Sequence, residues 1–371
     1  KQKTAYEIHE RLVGSEMCIR DSALAMLSVK EQPPTVRLLY GGKTAVLPNF
    51  AASSETVLNK LLEDVNSRGG DGSRLPINLA WLSTSRLSWN HSKIIISDRN
   101  RMINGGHNMW DGDYLGTNPV FDISLELTGP AAQETQLFVD ELWSNTRKYG
   151  YSEIAGGAIN PPYLESFYEG EAKVIGVGRL GAFGDDPADD AITAMIVSAK
   201  KSIFMSQQDL FTNMSWKVQP SWAAEELISA AISGVKVNII GSNKTLLPTY
   251  GMVSAQETFN RMRTIAKRRL VGRGRKAKRA AMKRFCENFT ITPFRFNEEI
   301  KTWTDGGPIG NHSKLIVIDE KAFYVGSQNF YPANLQEHGI IVADETMTNE
   351  LMNIYWHPLW EVAKKSEISC R

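Results

Sequence analysis

Two stretches of this chain carry the same set of reactive side chains at the same spacing. His91-Ser92-Lys93 is followed after four residues by Asp98, and after six more by Gly105-Gly106-His107-Asn108. His312-Ser313-Lys314 is followed at the same intervals by Asp319 and by Gly326-Ser327-Gln328-Asn329. Only six histidines occur in 371 residues, so two of them in one frame point to an active site built from two related halves. Residues two apart on a strand project the same way, so each histidine shares a face with its lysine. Two lysines and two asparagines offer cationic and amide donors, which suit an anionic tetrahedral group such as phosphate. The two histidines can divide the remaining work. One, neutral, attacks phosphorus and forms a covalent intermediate. The other, protonated, gives its proton to the leaving alcohol and then activates the incoming nucleophile. This requires surroundings that push their pKa values apart, while Lys93, Lys314, Asn108 and Asn329 stabilise the charge of the transition state. Asp98 and Asp319 are candidates for direct catalysis, but both fall in turns, and a turn-stabilising role is an equal reading. Gly105, Gly106, Gly326 and Ser327 are small enough to let backbone approach a ligand closely. Histidines and cysteines outside the motifs are not clustered at ligand spacing, and two lysines already neutralise a phosphate, so no metal or other cofactor is expected.

The elements that must hold these residues alternate between helix and strand. In the second half, a helix at 188–200 leads to a strand at 202–207, then a helix near 222–233, a strand at 235–241, a long basic helical segment, a strand at 290–296 and the His312 motif. The first half repeats the later part of that order, with strands at 35–41 and 77–83, a helix at 55–65 and the His91 motif. Helices at 131–148 and 345–364 follow the two motifs. Ile94-Ile95-Ile96 and Leu315-Ile316-Val317-Ile318 read as strands buried on both faces. This alternation predicts an α/β fold of two pseudo-symmetric αβα-layered halves, with the active site at their interface. Gly156–Pro187, rich in Gly, Pro and Asp, is the expected boundary, dividing 23–165 from 166–371. The helix and strand at 188–207 have no counterpart before residue 35, so the first half is expected to be N-terminally truncated and to lack one strand. Tyr6–Ser22 resembles translated sequencing-adapter read-through, so residues 1–22 are set aside, and the true N-terminus and any signal peptide would lie outside this chain.

The bulk properties narrow the partners. The composition, 42% hydrophobic and 22% charged, is that of an ordinary globular protein, and a net charge of +1 gives no global field for a polyanion. No apolar run spans a bilayer, so lipid would be reached from the water side. Arg261–Arg284 is strongly basic, and three readings stay open: a solvated helix or loop, docking on anionic lipid, or binding of nucleic acid phosphates. Trp89, Trp110, Trp303 and Tyr331 flank the motifs. Core packing is the commoner role for such residues, with Trp110 and Tyr331 the candidate substrate contacts through cation–π interaction with a quaternary ammonium. His107 and His338 read as polar contacts at the pocket wall. Cys286 and Cys370 are by spacing either buried thiols or one long-range bridge.

HSKIIISDRNRMINGGHN and HSKLIVIDEKAFYVGSQN resemble the paired HKD motifs of the phospholipase D superfamily. SWNHSK, DYLGTNPVFDISLELTGPAA, SQQDL and FYVGSQNFYPANLQEHGIIV are similar to segments of the secreted phospholipases D of actinomycetes, and the similarity runs from about residue 34 to the C-terminus. The resemblance implies that His91 is the nucleophile and His312 the general acid/base, with Lys93, Lys314, Asn108 and Asn329 holding the phosphate. It implies that an acidic residue downstream of each motif orients that motif's histidine, and Asp122 and Glu337 stand in those places. Glu337 replaces an expected aspartate, and its extra methylene is expected to shift His312. A carboxylate on one ring nitrogen fixes the tautomer and leaves the other free to react. The resemblance further implies a Cys286–Cys370 disulfide and a secreted, extracellular setting. The implied activity is cleavage of the distal phosphoester of a glycerophospholipid through a phosphohistidine, with exchange onto a small alcohol. Its partners would be a membrane surface or micelle, with no obligate protein partner, and nucleic acid is not expected. The rivals are a nuclease using the same chemistry and a lipid- or nucleic-acid-binding module with a relict site, since fold and motif do not fix substrate.

Overall fold

Short runs of β-branched and aliphatic residues, separated by amphipathic helices, set the architecture. The computed structural model describes residues 17–41, 53–82, 88–108, 114, 118–146, 153–156, 173–211, 222–244, 250–297, 300, 302–330 and 334–370. The first half comprises α1 (Met17–Ser28), β1 (Val36–Tyr40), α2 (Ser54–Ser67), β2 (Ile77–Trp81), β3 (Ile94–Ser97), β4 (Arg101–Gly105), β5 (Ser124–Thr128), α3 (Pro130–Thr146) and β6 (Glu153–Ala155). The second comprises β7 (Val174–Arg179), α4 (Pro187–Ser198), β8 (Ser202–Gln207), α5 (Trp222–Ser233), β9 (Lys236–Gly241), α6 (Ala255–Arg269), α7 (Arg275–Asn288), β10 (Phe289–Pro293), β11 (Lys314–Ile318), β12 (Ala322–Gly326), β13 (Glu337–Val342), α8 (Glu345–Leu351) and α9 (His357–Ala363). The long basic segment is thus two helices, parted at 270–274 where Gly272 takes a φ of 90°. A disulfide joins Cys286 on α7 to Cys370. α1 begins inside the adapter-like stretch, and its Leu24 and Ala25 share a core with Leu58, Leu61 and Val65 of α2.

The second half builds a seven-stranded sheet in the order β10-β9-β8-β11-β12-β13-β7. β8 is its pivot, parallel to β9 and antiparallel to β11. The first half forms two three-stranded sheets instead, β1-β2-β6 and β3-β4-β5. The parallel pair β1–β2 answers β9–β10, and the meander β3-β4-β5 answers β11-β12-β13. No strand among the described residues of the first half answers β8, so β1 and β3 do not pair. A cleft of about 470 Å³ lies between them, lined by Arg37 and Leu39 of β1, Ile94 and Ile96 of β3, and Gln136 and Trp143 of α3.

This difference corrects the expectation that both motif strands are buried on two faces. β11 is buried throughout, whereas β3 alternates. Ile95 is 51% exposed and Ile103 41%, while Ile316 and Tyr324, four and twelve residues after His312 as they are after His91, are fully buried. Ile316 and Tyr324 lie in one core with Ala188, Ile192 and Ile196 of α4. Among the described residues, the first half has no helix in the place of α4. The two meanders nonetheless pack on each other, as Met102, Ile123 and Leu125 join the core of Leu315, Val325 and Ile340.

Candidate active site

Each motif is fixed by the residue before its histidine. Asn90 Oδ1 accepts from the backbone N–H of Ser92 at 3.2 Å, and Asn311 Oδ1 accepts from that of Ser313 at 3.2 Å. Their amide nitrogens donate to Leu39 O on β1 and Ile240 O on β9. The duplication therefore begins one residue earlier, at Asn-His-Ser-Lys, with Asn90 and Asn311 in matching places. The histidine backbones then cross between halves. His91 N–H donates to Gln336 O at 2.8 Å and His312 N–H to Phe121 O at 2.7 Å. Each acceptor immediately precedes an acidic residue, so each motif docks beside the carboxylate of the other half.

His91 Nδ1 lies 2.9 Å from Glu337 Oε1, and His312 Nδ1 lies 2.8 Å from Asp122 Oδ2. This overturns the expectation that each acid serves the histidine of its own motif. The extra methylene of Glu337 bears on His91 and leaves His312 to an aspartate. With both Nδ1 atoms engaged, both Nε2 atoms are left to react. The rings stand 6.4 Å apart between centroids at 81°. Lys93 Nζ and Lys314 Nζ each donate to the carbonyl of the histidine two residues before. Asn108 Nδ2 donates to Tyr250 Oη at 3.1 Å, and the Asn329 backbone N–H donates to Glu337 Oε1 at 3.2 Å.

Three further residues complete the site without having been marked by the repeat. Tyr114 donates its hydroxyl to Asp122 Oδ2 at 2.8 Å and reaches to 3.2 Å of His312 Nδ1. Tyr250 sets its ring edge-on to His312 at 4.9 Å. The loop bearing it is tied down by Asp209, whose carboxylate accepts the backbone N–H groups of Met252 and Val253. Arg179 ends β7 opposite Glu337 in the strand register. Its guanidinium donates to Glu337 Oε2 at 3.1 Å and lies 3.4 Å from Asp189. The Glu-for-Asp change was the only sequence sign of this partner.

The two carboxylates are shifted in opposite directions. Burial opposes ionisation of Asp122, but His312, Lys314 and His107 together outweigh it and hold the pKa below the usual value. Burial raises Glu337, against the opposing pull of Arg179. Burial also works against the charge on Arg179, yet Glu337, Asp189 and Asp186 together keep its pKa above normal. Both histidines are pushed toward the neutral form, by burial first and then by the lysines, with His312 brought down to about 3. Burial also lowers Lys93 well below its usual value and brings Lys314 to about 8. An anion entering between the lysines reverses their effect and makes a protonated histidine affordable.

Two copies of one frame thus converge on one centre, and known proteins share the pattern. A family model described as cardiolipin synthase, phospholipase D-like domain, matches residues 192–360. A phospholipase D of Streptomyces antibioticus is 29% identical over 420 aligned positions, covering 95% of this chain and 72% of that protein. These likenesses support placing the chain in the phospholipase D superfamily. A cardiolipin synthase of Geobacillus kaustophilus is 28% identical over 233 positions, covering 59% of this chain and 40% of its own length. The crystal structure of phosphatidylserine synthase from Haemophilus influenzae shares the fold, with a TM-score of 0.53 at 11% identity over 90% of this chain and 83% of that one.

Within this superfamily frame, several motif residues serve the scaffold. Asp98 and Asp319 sit in the hairpin turns beyond β3 and β11, at φ of 51° and 53°, so the reading of them as catalytic is corrected. A strand rises about 3.3 Å per residue, which places them roughly 20 Å along the chain from their histidines. Asp319 instead accepts the backbone N–H groups of Lys200, Lys201 and Ser202, pinning the α4–β8 junction. The small residues make room for neighbouring protein groups. A Cβ at Gly105 would meet Ser124, one at Gly106 would stand 2.0 Å from Asp122 Oδ1, and one at Gly326 would stand 2.0 Å from Tyr324 Oη. Ser327 Oγ accepts the backbone N–H of His338. Trp303 packs on Phe296, and Trp89 accepts from Gln336 through its backbone carbonyl. Trp110 and Tyr331 lie outside the described residues. His107 bonds Ser124, and His338 is buried between Asn104 and Phe138.

Proposed function

We propose that this chain is a phospholipase D-type phosphodiesterase that cleaves the distal phosphoester of a glycerophospholipid, yielding phosphatidic acid and the head-group alcohol. The observation that carries the reading is the pair of histidines from opposite halves, 6.4 Å apart, each with Nδ1 held by a buried carboxylate. A phosphorus about 3 Å from an attacking nitrogen, with its leaving oxygen about 3 Å from a donating one, fits such a gap.

His91 is the nucleophile. Its side chain keeps 15% exposure against 3% for His312, and Glu337, already paired with Arg179, places less negative charge on its ring. His91 Nε2 forms a bond to phosphorus as the bond to the head-group oxygen breaks, and His312 Nε2–H delivers its proton to that oxygen. Asp122, ionised, stabilises the His312 imidazolium. His312 then takes a proton from water as its oxygen attacks phosphorus and the P–N bond breaks. An alcohol in place of water gives head-group exchange. Lys93, Lys314, Asn108 and Asn329 hold the phosphoryl oxygens. The Cys286–Cys370 disulfide supports an extracellular setting for the reaction.

The test is product analysis with phosphatidylcholine vesicles and ethanol. Phosphatidic acid and phosphatidylethanol should form, and both should fall by at least about 10²-fold in His312→Ala. A p-nitrophenyl diester needs no proton for its leaving group. With it, His312→Ala should accumulate a phosphoenzyme and His91→Ala should form none. Cleavage of DNA without lipid turnover would replace this reading with the nuclease one.

A further inference from the structure

Arg261–Arg284 holds twelve of the 42 basic residues and none of the 41 acidic ones, leaving 30 basic against 41 acidic elsewhere, a net of −11. The near-neutral whole is therefore a strongly polar object. The basic stretch forms the α6–α7 hairpin, turning at 270–274.

Its position follows from the strands. β8 and β9 start together at Ser202 and Lys236 and end together at Gln207 and Gly241, and Gln207 pairs with Lys314. The ends of β8 and β9 therefore face the active site. α5 leads into the start of β9, so its first turn lies at the active-site end. Arg269 donates to Glu225 O in that first turn and to Ser229 Oγ. Arg261 lies over Phe211, just past β8. α6 itself starts shortly after Tyr250, against His312, and its 15 residues extend about 22 Å across this end. Arg268, Arg273, Arg275, Lys276 and Arg279 are exposed around the turn, where Val271 is 75% exposed and Leu270 is buried as an anchor. α7 is fastened at its far end by the disulfide to Cys370 and by Asn288 to Ala231 O. The cations are thus carried on a fixed projection beside the active site.

We propose that this hairpin is the surface by which the protein settles on an anionic phospholipid layer, with its active site turned toward the lipid. The proposal rests on the lipid-cleaving reading above. Basic side chains meet the negative surface potential while Val271 enters the head-group region. A planar anionic surface touched at the tip avoids the acidic remainder of the molecule, onto which a long polyanion would run. Among the described residues no helix is long and apolar enough to cross a membrane, so this contact is peripheral.

The test is co-sedimentation with vesicles of equal parts phosphatidylglycerol and phosphatidylcholine, against vesicles of phosphatidylcholine alone. The wild type should bind the mixed vesicles, less so as salt rises. Arg268→Gln, Arg273→Gln, Arg275→Gln and Lys276→Gln together should weaken that binding on the order of 1,000-fold. Hydrolysis of monomeric dibutyroyl phosphatidylcholine should be unchanged in the variant, which shows that it is folded and its site intact. Equal binding to both vesicle types, unweakened binding of the variant, or tighter binding of duplex DNA than of mixed vesicles at the same salt would overturn the proposal. Hairpin-dependent vesicle binding without lipid turnover would uphold the docking surface and remove the activity reading alone.

Discussion

At Gly106 a hydrogen is all that fits beside a carboxylate. A methyl group there would stand 2.0 Å from Asp122 Oδ1, so Gly106→Ala should displace the group that orients His312. The expected result is a fall in kcat on the order of 10²-fold or more for an alkyl diester, and a much smaller fall for a p-nitrophenyl diester that needs no proton. Equal losses on both would separate Gly106 from the acid/base step. Arg179 acts on the other histidine. Without it, Glu337 confronts His91 as an unneutralised carboxylate and favours the imidazolium. The facing charges that remain are Lys93 and Lys314, which oppose protonation, and Asp122, which favours it, while Asp186 and Asp189 face Arg179; Tyr324 is held neutral. Because the nucleophile must be neutral, Arg179→Met should move the acid limb of kcat/KM to higher pH, and Arg179→Lys should move it back. Breaking a buried pair also costs stability, about 3–5 kcal/mol, so the pH profile is the decisive readout. An acid limb that stays put in Arg179→Met would show that the guanidinium only holds the fold.

The same side chain has different worth in the two halves because the elements around it differ. Asp319 fastens three backbone N–H groups at the α4–β8 junction, whereas Asp98, in the same place in its motif, has Ser97 Oγ as its side-chain partner. Ile316 is buried under α4, and Ile95 lies half in solvent. Asp319→Ala should cost about 2–4 kcal/mol and Ile316→Ala about 2–5 kcal/mol, while Asp98→Ala and Ile95→Ala should each cost below about 1 kcal/mol. Denaturant unfolding of the four variants measures this, and equal costs in both halves would mean that something covers β3. The strands and helices themselves were legible, since Ser202–Gln207 and Trp222–Ser233 announce themselves by apolar run and by helical spacing. The unequal burial of Ile95 and Ile316 was not, because both sit in short apolar runs and what separates them is that, among the described residues, the first half has no helix in the place of α4. Arg179 was equally hidden: its meeting with Glu337 is a matter of β7–β13 register, 158 residues apart.

At the scale of the whole molecule, the active site belongs to neither half. The duplicated frame declared which residues converge, but not that Asp122 and Glu337 exchange histidines, since that depends on how the two meanders pack. The shared centre also gathers charge from both sides. Lys93 and Lys314 oppose each other across it, and burial brings Lys314 down to about 8, partly offset by Asp122, Glu337 and Asp209. A lysine carries charge only below its pKa, so phosphate binding by the free enzyme should weaken as pH rises through that value. The alkaline limb of kcat/KM should therefore lie near pH 8, and that of kcat should lie higher, because bound phosphate favours the charged lysine. Asp209→Asn removes an anion that is ionised only above about pH 7, so Lys314 should lose its proton more easily and the alkaline limb of kcat/KM should move to lower pH. Rate measurements from pH 6 to 11 decide the matter. A limb at the ordinary lysine value of 10.5, unmoved by Asp209→Asn, would mean that the two halves do not press their charges together.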